Sequence, residues 1–542
     1  MKKSPEILIQ GGMVCDGTGS EPFEADIGIS GERIILIDRS GRRKKKASGA
    51  SVRVVEARDM TVTPGFIDTH AHSEFTLLAD PRAEGKICQG ITTEINGNCG
   101  LSAAPMSGEA LKQREEDLRG YDIRERWGTF GEYFGLLEKR NISMNYATLV
   151  GHGNIRACVA GYSKRSLERA EKQRIRALLR KSLDEGAIGL STGLIYPPGV
   201  YSETEELVDL AKCCKALIYT SHMRSESDRL LESIEELIGI AREAGIRGHV
   251  SHIKTSGQKN WHKIDSALSM IENAQQEGIR LTCDRYPYTA ASTDLDTVLP
   301  SWVYEGGADK EIRQLKKAEV RSRIRSEILK EHGGTGYWET ICIATVAQER
   351  NRWMEGKTLA YIAERKKAHP VDVLMHLLIE EKLRVSAIFL SMNEQNLRRF
   401  LSLPYCMIGT DSSARSAGGV TRIGKPHPRG FGSFPRFIGE YVREHSVATL
   451  SGAVQRITAL PANTFGIFQR GVLREGAFAD IVIFDYKQIK DRATFDKPYL
   501  KPEGIHYVFV NGVPAVWEGR LTGRRGGRVL RHGGHKATER KH

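Results

Sequence analysis

Apolar and polar positions alternate in two different ways along this chain. Near the start, residues 7–9, 26–30 and 33–37 form short apolar or alternating runs, punctuated by Gly11, Gly12 and Gly31. Residues 476–485 and 506–512 read the same way near the end. Two β-rich ends around a long middle predict one small β-sandwich built from both termini. The middle carries eight buried-type strands near 65–70, 90–95, 146–151, 187–190, 217–222, 247–252, 280–284 and 406–411. Helical periodicity lies between many of them, as at 166–184, 203–215, 228–244 and 264–276. Strands interleaved with helices predict an α/β protein, a (β/α)8 TIM-type barrel whose chemistry belongs at the C-terminal strand ends. The long gap before the eighth strand has helical segments of its own, at 310–331, 359–367, 370–380 and 393–401, which predict an insertion near the mouth. The expected division is 1–62 and 465–530 for the sandwich and 63–464 for the barrel. The barrel includes the insertion at about 300–400, and a basic flexible tail follows at 531–542.

Composition narrows the class. Hydrophobic residues make up 40% of the 542 and charged residues 27%, which is globular and excludes wholesale disorder. No apolar run approaches the ~18 residues of a membrane helix, and Met1 to Glu6 leads into no signal-peptide core. A cytoplasmic protein without membrane attachment is expected. Nine cysteines, an odd number with no C-x-x-C pair, suit free thiols in a reducing compartment. The net charge of +13 is partly local, in the run 42–46 and in the tail. No aromatic residues interleave with the tail's cations, so the expected partner is a small molecule and not a nucleic acid.

The chemistry sits at the strand ends. His70 and His72 close the first strand, and residues two apart in a strand point the same way. Cys99 follows the second strand, His222 ends the fifth, His252 the sixth and Asp411 the eighth. Loop histidines explain any one of these positions but not their convergence on a single face. Thiolate and imidazole are borderline-soft ligands that suit Zn²⁺ better than Mg²⁺ or Ca²⁺. Gly189-Leu190-Ser191-Thr192-Gly193 matches the serine-hydrolase G-x-S-x-G, but Pro197 and Pro198 deny it the helix that a nucleophile elbow needs.

This set resembles the amidohydrolase superfamily, which carries H-x-H, two histidines and an aspartate on the corresponding strands. The fourth strand, 187–193, lacks the lysine that many members carboxylate, which argues against a dihydropyrimidinase- or dihydroorotase-like cyclic-amide hydrolase. Gly97-Asn98-Cys99-Gly100, Asp284-Arg285-Tyr286-Pro287-Tyr288 and Pro426-His427-Pro428-Arg429-Gly430-Phe431-Gly432 narrow the likeness. They resemble the N-acyl-D-amino-acid deacylases (D-aminoacylases), which use a cysteine in the lysine's stead. The resemblance implies one tight Zn²⁺ site from Cys99, His222 and His252, with His70, His72 and Asp411 lining a second, weaker position. It implies hydrolysis of N-acyl-D-amino acids to a carboxylate and the free D-amino acid. In that reaction Asp411 serves as general base and then acid. Tyr286, Ser292 and Arg429 match the positions that grip the substrate's carboxylate, and Lys254, two residues beyond His252, is expected to emerge beside the ion and join them. The rival readings are the cyclic-amide hydrolase and a catalytically inactive scaffold, and the intact ligand set speaks against the scaffold.

The side-chain pocket is expected at 289–303, which has no Lys or Arg but includes Asp294, Asp296 and Trp302. Such a wall favours neutral or apolar substrates over N-acyl-D-glutamate, unless the insertion supplies Arg350 or Arg352.

Overall fold

A computed structural model describes residues 4–40, 52–332 and 336–533. The basic run 42–46 and the tail beyond 533 lie outside the described residues. Both chain ends enter one nine-stranded sheet. Ile7–Val14, Phe23–Ser30, Arg33–Asp38, Arg53–Glu56 and Thr61–Pro64 come from the start. Ile481–Phe484, Ile505–Val510, Val513–Trp517 and Arg520–Leu521 come from the end. The halves meet where Thr61–Pro64 runs antiparallel to Ile481–Phe484. Alternation puts Ile27, Ile29, Ile481, Ile483 and Phe509 into one apolar cluster beside the sheet.

Eight strands of the middle are parallel and are numbered here β1 (Phe66–Asp68), β2 (Ile91–Asn96), β3 (Asn145–Thr148, continued by Val150–Gly151), β4 (Gly189–Gly193), β5 (Ile218–His222), β6 (Arg247–Val250), β7 (Leu281–Arg285) and β8 (Cys406–Ile408). Each pairs with the next in order. A parallel bridge between Ala71 and Ser412 links the extensions of β1 and β8. The strands are short, buried and rich in β-branched residues, and amphipathic helices cover them. Leu230–Ala244, for example, buries Leu230, Ile234, Leu237, Ile238 and Ala241 and stops at Gly245 in the left-handed conformation.

Between β7 and β8 the chain builds a separate core around Leu295, Leu315, Ile324, Ile328 and Leu374. The helix expected over 310–331 is two helices, Ala308–Leu315 and Ala318–His332. Leu315 and Ile324 are nine residues apart, which on one continuous helix is ~180° and puts them on opposite faces. The break lets both reach the same core. The insertion also contains a three-stranded antiparallel sheet, Ala290–Asp294, Ser386–Leu390 and Ile341–Thr345, which helical periodicity does not announce. Among the described residues no helix is long and apolar enough to cross a membrane.

One charged side chain ties the parallel strands together from inside. The fully buried Lys86 ammonium lies 2.7 Å from Asp68 of β1 and 2.6 Å from Glu94 of β2. It also donates to Thr410 Oγ1 (2.8 Å) and to the Ser412 carbonyl (2.9 Å), which flank Asp411. Removing one member of a buried ion set leaves the others uncompensated, at a cost of about 3–5 kcal/mol. Lys86→Met should therefore lose stability of about that size in denaturant unfolding. A loss under ~1 kcal/mol would mean that water or a rearrangement satisfies both carboxylates.

Candidate metal centre

The residues past the ends of the parallel strands turn inward in unusual backbone conformations. Cys99, His252 and Asp411 have φ of 54°, 36° and 47°, the left-handed region that non-glycine residues rarely occupy. Such strain persists only where the surroundings enforce it. Around Cys99 the enforcement is visible. Gly97 and Gly100 are also left-handed, and a Cβ on Gly97 would meet the Leu149 carbonyl at 2.1 Å. Ser191 of β4 accepts from Gly100 N at 3.1 Å and donates to the Gly97 carbonyl. The G-x-S-x-G serine is thus a buried clamp on the cysteine turn.

The turn delivers Cys99 Sγ to 3.2 Å from His70 Nε2 and 3.4 Å from His252 Nε2. Ligands on a tetrahedral zinc at ordinary Zn–S and Zn–N lengths stand ~3.5 Å apart, so this trio has the spacing for one ion. Among the described residues three groups have metal-compatible spacing: His70–Cys99–His252, His70–His72–Asp411 and His222–Glu226–His252. His70 joins Cys99 and His252 in the first group, while His222 groups with His252 and Glu226 and also interacts with Cys99. The ring of His222 is still 4.4 Å from that of His252, and neither of its buried nitrogens has a hydrogen-bond partner. An orphaned buried imidazole in this position fits a metal ligand.

Burial alone would push the Cys99 thiol up, but His70 and His252 hold it well below the ordinary thiol range. Burial opposes charge on Asp411 too, yet Arg429 and His72 hold its carboxyl well below the usual range. Arg429 Nη1 is 2.9 Å from Asp411 Oδ2, and His72 Nε2 is 3.3 Å from Oδ1. Asp284 of β7 braces the floor. It lies 3.4 Å from His70 Nδ1, accepts from Thr69 Oγ1 at 2.9 Å, and accepts from the His252 amide.

Glu226 is absent from the sequence reading. Its carboxylate is 2.8 Å from His252 Nδ1 and 3.7 Å from His222 Nε2, and it pairs closely with Lys254. A carboxylate on the far nitrogen orients a ligating imidazole and raises its basicity. The only sequence cue is its place four residues after His222. Lys254, expected to face the substrate, is thus engaged with Glu226 and with His252 Nδ1 at 2.8 Å.

The remaining expected substrate residues gather around Tyr286. Its ring has the Arg429 guanidinium at 4.7 Å and the Arg285 guanidinium at 4.2 Å, and its buried hydroxyl has no partner. Ser292 meets Arg429 through its backbone carbonyl, at 3.1 Å from Nη2. His427 donates from Nε2 to the Ala290 carbonyl and accepts from Arg429 N, both at 3.0 Å, which fixes both neighbours. His152 pairs with Glu206 at 2.9 Å, away from these groups. Arg350 and Arg352 face Glu380 and Glu349 on the insertion's surface. Trp302 donates to Glu327 and carries Arg323 over its ring, so it belongs to the insertion.

A cysteine and histidines gathered past the ends of parallel strands, with an aspartate opposite, define a metal-site α/β protein of amidohydrolase type. The amidohydrolase family model matches residues 53–309 and 410–516, leaving out most of the insertion. The chain is 34% identical over 533 residues to the N-acyl-D-glutamate deacylase of Alcaligenes xylosoxydans xylosoxydans, covering 98% of this chain and 97% of that one. It is 32% identical to the same organism's D-aminoacylase, with 97% of each chain covered. The crystal structure of the Bordetella bronchiseptica N-acyl-D-glutamate deacylase, complexed with zinc and a phosphonate inhibitor, superposes with a TM-score of 0.81 at 32% identity. That match covers 98% of this chain and 100% of the other. The chain belongs to the amidohydrolase family, and within it to the N-acyl-D-amino-acid deacylases.

Glu226→Gln keeps the shape but removes the charge that orients His252. Zinc affinity, read by chelator competition, should fall ~10- to 100-fold. An unchanged affinity would mean that backbone strain alone sets the ring.

Proposed function

We propose that this chain is a cytoplasmic zinc-dependent hydrolase that cleaves the amide bond of N-acyl-D-amino acids. The observation that carries this reading is Cys99 Sγ between His70 and His252, with Asp411 and Arg429 facing the same space. The eight parallel strands, each paired with its neighbours, support a (β/α)8 barrel over 63–464 with its insertion at about 300–400. The terminal sheet supports a β-sandwich drawn from 1–62 and 465–530, followed by a tail at 531–542. All nine cysteines are free, which supports a reducing compartment.

Cys99, His252, His222 and His70 would hold the tight zinc, and His72 with Asp411 would offer a weaker second position. When bound, the metal would supply an activated water and polarise the scissile carbonyl. Asp411 takes the water's proton at a carboxylate oxygen and returns it to the departing nitrogen. Arg429 is paired with Asp411 and can turn to the α-carboxylate of an incoming acid, with the unpartnered Tyr286 hydroxyl beside it. The Lys254–Glu226 pair holds His252, and Lys254 can share its remaining protons with that carboxylate. The absence of a lysine on β4 weighs against a cyclic-amide hydrolase, and the intact donor set weighs against an inactive scaffold. Metal analysis with a chiral amidase assay separates the three.

Purified protein should carry about one tight zinc per chain, and Cys99→Ala should lose most of the metal and the activity. Asp411→Asn should keep the tight zinc while kcat falls ~10²-fold or more. Near-normal turnover in that variant would require another base. For Arg429→Ala, kcat/KM toward free acids should drop by ~10- to 100-fold, as for the loss of a charge-assisted contact. The penalty should shrink for substrates whose carboxylate is amidated. An equal penalty for both would remove Arg429 from carboxylate recognition.

A further inference from the structure

His249 is a fully buried residue of β6, three positions before His252. Phe465, from the apolar cluster of Ile67, Ile95 and Met407, stands edge-on to its ring at 5.4 Å. Despite that apolar floor both ring nitrogens are engaged. Nε2 is 3.0 Å from Asp284 Oδ2, and Nδ1 is 2.9 Å from Thr282 Oγ1. A carboxylate only accepts, so Nε2 is the donor of that pair. Thr282 and Asp284 are two apart on β7 and face the same side, which brings both to one ring.

The other contacts of Asp284 lead to the metal donors. Its Oδ2 accepts from Thr69 Oγ1 at 2.9 Å and stands 3.4 Å from His70 Nδ1. That is the far nitrogen of the ring whose Nε2 meets Cys99 Sγ. Its Oδ1 accepts from the His252 amide, in the residue whose φ is 36°. The Asp284 carbonyl accepts from Ile253 N at 2.9 Å, so β7 holds the chain on both sides of that strained position. One carboxylate thus serves both imidazoles that flank Cys99 Sγ. The terminal torsion of an aspartate is soft, so donors arriving from different directions are what pin its plane. Thr69 arrives from the end of β1, and His249 arrives from β6. A buried histidine with two partners is ordinarily a satisfied core residue. His249 differs because its partner is the carboxylate on which two donors of the centre depend.

We propose that His249 is a positioning residue of the metal centre: by pinning the Asp284 carboxylate it fixes the rings of His70 and His252 at the spacing that an ion on Cys99 requires. This rests on the zinc reading above and adds to it a residue that lies outside the ligand set.

The test compares His249→Gln, whose amide nitrogen can still donate to Asp284, with His249→Phe, which keeps a flat ring without a donor. Zinc affinity is read by chelator competition, and the thiolate-to-cobalt absorption of the cobalt-loaded protein reports ligand geometry. The Phe variant should bind zinc ~10- to 100-fold more weakly and shift the cobalt band, while the Gln variant stays within ~3-fold of the parent. Unfolding of the metal-free proteins is measured alongside, because a purely structural role would lower stability without touching affinity. If the Phe variant does not fold, Thr282→Val removes only the hydrogen bond that orients the ring. Zinc should then weaken by ~2- to 10-fold, the size of one hydrogen bond. Unchanged affinity and spectrum in the folded variants overturn the proposal, as does equal weakening in Gln and Phe. A parent protein that holds no zinc would overturn the metal reading itself, and this proposal with it.

Discussion

A buried thiol held between two imidazoles is the contact around which this molecule is organised. Sulfur and ring nitrogens 3.2–3.4 Å apart gain little from hydrogen bonding each other, and burial penalises any charge among them. The arrangement makes chemical sense when an ion completes it. The surrounding structure bears the cost of keeping it assembled. Three residues of the centre sit in left-handed backbone, at ~1–3 kcal/mol each. Glycines on both sides of Cys99, the Ser191 clamp and the bridge from Ala71 to Ser412 keep those conformations from relaxing.

Charge is balanced one layer further out. Lys86 neutralises Asp68 and Glu94 below the site, Asp284 braces His70 and His249, and Glu226 joins Lys254 to His252. Asp68 and Asp284 also accept from backbone and hydroxyl donors, Asp68 and Glu94 share one ammonium, and Glu226 lies between an ammonium and an imidazole. No member can then be removed without stranding its partners. The same logic makes Arg429 pivotal, because it neutralises Asp411 and also touches the wall at Ser292.

Much of this was legible before folding. H-x-H and single donors at strand ends have a fixed geometric meaning, and the eight strand positions fall within a few residues of their expected places. What stayed hidden depends on long-range approach. Glu226 lies in a loop with no periodicity of its own, and only the chain's return at His252 makes it a partner. Without Glu226 in view, Lys254 looked like a free cation aimed at substrate. The helix over 310–331 was misread because its composition is helical throughout. The break is dictated by a core that only the folded insertion contains.

The insertion is a unit of its own beside the candidate metal centre. The family match stops at residue 309 and resumes at 410, and the intervening chain has its own apolar core. A unit that buries its own surface can change without disturbing the parallel strands. Strand Ala290–Asp294 is the exception, since it pairs with Ser386–Leu390 of the insertion on one side and contacts Arg429 and Tyr196 on the other. Any change in the insertion that moves this strand moves the side-chain wall relative to Asp411 and the metal donors. The insertion is thereby separate from the metal donors along the chain, yet joined to their surroundings through this one strand.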